Sequence, residues 1–125
     1  MATYTADVSW TLKSNEDFAS GRYSRGHTVD FDGGLTIPAS ASPHVVGKWA
    51  VKEAVDPEEM LVASLACCHM LWYLHLCAEA GVTVVAYRDK PTGTMVEDAR
   101  EGGRFTEVEL RLRARDQRER IANSR

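Results

Sequence analysis

The stretch DPEEMLVASLACCHMLWYLHLCAEAG, Asp56 to Gly81, decides the fold. Its ends carry helix punctuation. Asp56 suits an N-cap, Pro57 the first turn, Glu58 and Glu59 the positive end of the helix dipole, and Gly81 a C-terminal stop. The expected helix, Pro57 to Ala80, is about 36 Å long at about 1.5 Å per residue. Met60 to Cys77 is a run of eighteen residues without a formal charge, at the lower limit for crossing a bilayer. Histidines and cysteines inside the run weigh against a span. So do the glutamates at its ends, where lysines, arginines and aromatic belts usually anchor one. A long, buried central helix without a membrane partner is therefore expected. A helix this apolar must be covered on most sides, and a partner chain is one source of cover.

Working outward from the helix, ATYTADVSWTLK and GHTVDFDGGLTIPAS read as strands of an antiparallel meander, with Gly33 and Gly34 marking a hairpin. After the helix, VTVVAYRDKPTGTMVED and RFTEVELRLRARD alternate polar with apolar residues and read as a second pair of strands. Strands, one long helix and further strands make an α+β layout, and no repeat points to a solenoid. The QRERIANSR end reads as a short helical turn or a frayed tail.

At 125 residues the expected organisation is a single domain, 1–125. A net charge of −3 with scattered arginines does not suit a nucleic-acid surface, which needs clustered positive charge. The start, MATYTADVSW, lacks the basic and apolar parts of a secretory signal. Three cysteines, an odd number, do not suggest a disulfide framework, so a cytoplasmic location is expected.

All three cysteines fall in the helix, at Cys67, Cys68 and Cys77. One reading makes them small buried hydrophobes. A disulfide between Cys68 and Cys77 fails on geometry, because nine residues of helix rise about 13.5 Å and a bridge needs Cα atoms roughly 4.4 to 6.8 Å apart. A metal site, with Cys67, Cys68, His69, His75 and Cys77 as nominal ligands, fails on spacing, so no metal or cofactor is expected. The third reading is a redox-active thiol. Cys68 is too deep in the helix for the dipole to stabilise its thiolate, so a cation must come from elsewhere, and Arg22 and Arg25 in SGRYSRGH are the candidates.

The helix sequence, together with YSRGHTVDFDGG, PASASPHVV and AVDPEE, resembles the OsmC/Ohr family of osmotically inducible and organic hydroperoxide resistance proteins. That family's pattern is a Pro-Glu pair followed, ten residues after the glutamate, by a peroxidatic cysteine. Pro57, Glu58 and Cys68 have that separation. The resemblance runs down to Arg115 and implies an OsmC-like intertwined dimer with sites at the subunit interface. It implies a cysteine-based peroxidase acting on organic hydroperoxides, with Cys68 as nucleophile, Arg25 as active-site arginine and Glu58 as the carboxylate orienting it. Arg22 is the alternative arginine, while Cys67, His69 and His75 are assigned to packing. Glu58 and Cys68 on one straight helix are about 15 Å apart, which two subunits would reconcile.

One departure from the family pattern stands out. Glu119, in ERIANSR, occupies the place of the family's resolving cysteine, and the C-terminal part reads as shortened. Three outcomes follow: a one-cysteine peroxidase reduced by an external thiol or dithiol, an impaired relative, or a non-catalytic protein binding a small apolar ligand.

Overall fold

The computed structural model describes residues 1–98 and 102–118. The chain divides into two compact units, Met1–Met60 and Leu61–Arg125. In the first unit, strands β1 (Ala6–Ser9), β2 (His27–Phe31) and β3 (Thr36–Ala39) form an antiparallel sheet in the order β1-β2-β3. The register opposes Val8 to Val29 and Val29 to Ile37, so alternate residues of β2 face one side, where Val29 is buried. The expected hairpin joins β2 to β3. Gly34 takes φ 94°, a left-handed conformation suited to glycine, and its N–H donates to the Phe31 carbonyl at 2.9 Å.

The segment after β3 explains why two polar residues are buried here. Ser40 is wholly buried, yet its Oγ accepts the Val51 N–H at 2.9 Å and its own N–H donates to the Val55 carbonyl at 3.0 Å. Ser42 is buried at the N-terminus of the one-turn helix α1 (Pro43–Val46), where its hydroxyl accepts the His44 N–H at 3.1 Å. Both hydroxyls use their capacity locally, as buried polar groups must.

Helix α2 runs over Pro57–Glu79, one residue short of the expected end. Its start is a capping box: Asp56 Oδ1 accepts the Glu59 N–H at 2.7 Å, and Glu59 Oε1 accepts the Asp56 N–H at 3.4 Å. The side-chain hydrogen bond with the neighbouring Asp56 carboxyl raises the Glu59 carboxyl above its ordinary value, against the lowering effect of the Asp56 backbone N–H. The other end is a Schellman motif, with Val82 N–H donating to the Cys77 carbonyl, Gly81 N–H to that of Ala78, and Gly81 at φ 76°.

Within the single chain the helix is largely exposed, so the cover that its expected burial calls for does not come from its own chain. Of its residues only Ala66 is buried, while Leu71 and Trp72 are each 62% exposed and Leu76 is 57% exposed. By length and composition, with mean hydropathy 1.6, it qualifies to cross a membrane. The continuous apolar run could not reveal this, since it records that cover is needed and not what supplies it.

In the second unit the expected pair of strands is broken into four: β4 (Val84–Asp89), β5 (Thr92–Asp98), β6 (Gly102–Glu109) and β7 (Leu112–Asp116). β4 pairs with β7 and β5 with β6, both antiparallel. Pro91 interrupts the first ribbon because it offers no N–H to a ladder. Opposite it, the Arg111 N–H leaves the ladder and donates to Asp89 Oδ1 at 2.7 Å. Helix α2 packs on β5 at Gly93, where a Cβ would stand 2.5 Å from Val62 Cγ2. The Tyr73 and Tyr87 rings meet at 5.6 Å, and burial raises the Tyr87 hydroxyl above its ordinary value, with Asp89 and Tyr73 adding to the effect. Of the expected C-terminal turn, QRERIANSR, residues 119–125 lie outside the described residues, Glu119 among them.

Candidate functional site

The first unit holds an open cleft of about 470 Å³, lined by Trp10, Phe18, Tyr23, Arg25, His27, Ser40, Ala41 and Pro57. Its wall is built by the loop between β1 and β2. Asp17 and Arg22 exchange backbone hydrogen bonds at 3.2 and 3.0 Å, closing a turn that returns the chain through Gly21 at φ 78°. This brings three rings together, with Phe18 stacked on Tyr23 at 4.7 Å and Trp10 at 5.8 Å and 5.5 Å from the two. Trp10 Nε1 donates to the Ser24 carbonyl at 3.0 Å.

Glu16 pins this loop. Its Oε2 accepts the Ser24 N–H at 2.7 Å and its Oε1 the Lys13 N–H at 3.1 Å. The Ser24 N–H bond is the main cause that holds the Glu16 carboxyl below its ordinary value. A depressed folded value means the carboxylate stabilises the loop above the unfolded value of about 4.3. That contribution is lost as pH falls through the lower folded value. Acid titration followed by Trp10 fluorescence should therefore show a loop transition below about pH 4.3 that Glu16→Gln lacks. Identical titrations would contradict this role.

Arg25 is half-buried in the cleft. Its guanidinium carbon lies 3.4 Å from the centre of the Tyr23 ring, and Nη1 donates to the Tyr23 carbonyl at 2.5 Å and to that of Gly21 at 3.2 Å. Its backbone N–H is held by the Trp49 carbonyl at 2.9 Å. The guanidinium is thus fixed by a ring face and two carbonyls. Among the described residues no ion pair joins it to a carboxylate. Arg22 is exposed, and its backbone serves the loop turn.

Glu58, half-buried at the second position of α2, has a shielded Oε2 with no hydrogen-bond partner among the described residues. It follows Pro57, itself in the cleft lining. Cys68 is exposed on the same helix, ten residues on, a rise of about 15 Å. Cys67 and His69 are exposed as well, and His75 Nε2 lies 3.1 Å from Glu79 Oε1. Their assignment to packing is not met within the chain, since the helix surface they occupy is uncovered. Among the described residues no three His, Cys, Asp or Glu side chains converge on one point.

The profile of OsmC-like proteins matches residues 50–123, which takes in the capping box, the Glu58–Cys68 spacing and the second-unit strands. The chain belongs to the OsmC-like family. The fold agrees: an OsmC-like protein of unknown function from Vibrio cholerae O1 biovar El Tor superposes with a TM-score of 0.87 at 37% sequence identity. That comparison covers 98% of this chain and 84% of the other. No curated protein matches the chain. The OsmC-like fold also accounts for α2 as the central helix of a known architecture. Sequence reasoning singled out Arg25, Glu58 and Cys68 but not Trp10, Phe18 or His27, which belong to the cleft only through the pairing of β1 with β2 and the turn closed by Asp17 and Arg22.

Proposed function

We propose that this OsmC-like protein is a thiol-dependent peroxidase that reduces organic hydroperoxides with Cys68 as nucleophile. The observation that carries the reading is the spacing of Glu58 and Cys68 on the helix of an OsmC-like chain, which matches the family's carboxylate and peroxidatic cysteine. The cleft supports it: Arg25 presents a fixed cation beside three aromatic rings, suited to a greasy molecule with a polar peroxide end. The Cys68 thiolate attacks the terminal peroxide oxygen, and the guanidinium donates hydrogen bonds to the oxygens as charge develops. Glu58 orients the guanidinium.

Of the three cysteines, Cys67 adjoins Cys68 and Cys77 is nine helical residues away, so neither bridges to it while α2 stays folded. The oxidised cysteine is then returned by an external thiol or dithiol, which a reducing cytoplasm supplies. The test is consumption of an alkyl hydroperoxide with excess dithiol. Turnover above that of dithiol alone is expected. None would sink the reading in favour of a non-catalytic protein whose cleft binds a small apolar ligand.

The working form is a homodimer. Leu61, Leu65, Leu71, Trp72 and Leu76 leave on α2 an apolar surface that a second copy would cover. Two chains also reconcile Glu58 with Cys68, which one straight helix holds apart. Sedimentation at micromolar concentration should give twice the chain mass of 13.9 kDa. A well-folded monomer would contradict the dimer.

A further inference from the structure

We infer that His27 is the proton-transfer residue of the cleft, delivering a proton to the alkoxide released from the hydroperoxide; this rests on the peroxidase reading above. His27 opens β2 opposite Ala39 and is half-buried in the cleft lining beside Arg25. Its Nδ1 lies 2.8 Å from the Arg25 carbonyl oxygen. A carbonyl only accepts, so Nδ1 carries the hydrogen and the neutral ring offers Nε2 as a bare lone pair. The bond therefore fixes both the tautomer and the orientation of the ring.

The rest of the lining leaves this task to His27. Trp10, Phe18, Ala41 and Pro57 bring no group that exchanges a proton, the phenol of Tyr23 is not a side-chain type that exchanges its proton near neutral pH, and Ser40 Oγ accepts the Val51 N–H. No lining residue is a carboxylic acid. Among the side-chain types present, imidazole is the one that gains and loses a proton near neutral pH. The same backbone stretch thus sets a fixed cation at Arg25, held by the Tyr23 and Gly21 carbonyls, and a proton carrier at His27, held two residues on by the Arg25 carbonyl.

The Cys68 thiolate sulfur bonds to the terminal oxygen of ROOH, the O–O bond breaks, and its electron pair leaves on RO⁻. The terminal oxygen keeps its hydrogen, giving the sulfenic acid. RO⁻ takes the proton from Nε2 of the His27 imidazolium and departs as ROH. The proton given up by the Cys68 thiol recharges the ring through solvent, so thiol and hydroperoxide become sulfenic acid and alcohol. Sulfur is oxidised by two electrons and the peroxide is reduced by two.

Leaving-group basicity supplies the test. An alkoxide is a poor leaving group that needs the proton, whereas the carboxylate expelled from a peroxyacid does not. His27→Asn keeps an amide N–H able to donate to the Arg25 carbonyl but carries no titrating nitrogen. Its rate constant with cumene hydroperoxide should fall about 100-fold, while that with peracetic acid stays near wild type. Equal losses with both oxidants, or no loss with either, would overturn the role of His27. If His27→Asn fails to reproduce the wild-type circular dichroism, the same ratio is read in His27→Gln. Cys68→Ser serves as the control in parallel: consumption that survives it means the peroxidase reading has failed, and this inference with it. Cys68-dependent consumption with an unchanged oxidant ratio removes His27 alone.

Discussion

Replacing Cys68 by serine should lower the rate of cumene hydroperoxide consumption, with excess dithiol, by at least about 10³-fold. Serine matches the thiol in size but is a far weaker nucleophile toward an O–O bond, and it has no sulfenic state for a thiol to reduce. Because serine is close to the thiol in size, the substitution should leave stability nearly unchanged. Cys67→Ser and Cys77→Ser separate the three thiols. Both should keep most of the activity, and retention of wild-type rate by Cys68→Ser with loss in either of the others would move the nucleophile.

The second large effect is expected at Arg25. Removing a fixed donor aimed at developing charge costs roughly 10²- to 10³-fold in rate, and Arg25→Ala should fall in that range with cumene hydroperoxide. Arg25→Lys should recover only part of the loss. A lysine keeps the charge, but it cannot span the Tyr23 face and the two carbonyls as a planar guanidinium does. Those carbonyl bonds also hold the loop, so Trp10 fluorescence and circular dichroism must accompany the rates. Arg22→Ala provides the comparison, since that side chain is exposed and should leave activity unchanged. Activity lost in Arg22→Ala and kept in Arg25→Ala would identify the other arginine.

The central helix was the most legible element because its signals are local. Asp56, Glu59 and Gly81 act within one turn of their own positions, and the structure uses each of them as a cap. The hairpin at Gly34 was legible for the same reason. The breaks in the second-unit strands were harder to read. The expected strand ran through Pro91, where a missing N–H ends the ladder, and the break at Leu110 and Arg111 depends on a side chain twenty-two residues away, the Asp89 carboxylate that captures the Arg111 N–H. The site divides along the same line. Motif spacing singled out Glu58 and Cys68, and family resemblance Arg25, but neither pointed to the aromatic wall, because Trp10 and Phe18 meet Tyr23 only after the loop closes. The expected burial of α2 was read from composition, which states a need for cover and cannot say whether the chain meets it.

The central step of the proposed reaction is transfer of one peroxide oxygen to one sulfur. Intact mass after one equivalent of cumene hydroperoxide, with a sulfenic-acid trap and peptide mapping, tests it most directly. One added oxygen should be found, trapped at Cys68, and more peroxide should drive the same residue to the sulfinic acid, because neither Cys67 nor Cys77 is placed to resolve it. An unmodified Cys68 with the peroxide intact would contradict the peroxidase. A loss of two hydrogens, mapping to a Cys68–Cys77 bridge, would contradict the one-cysteine cycle and require α2 to unwind during turnover.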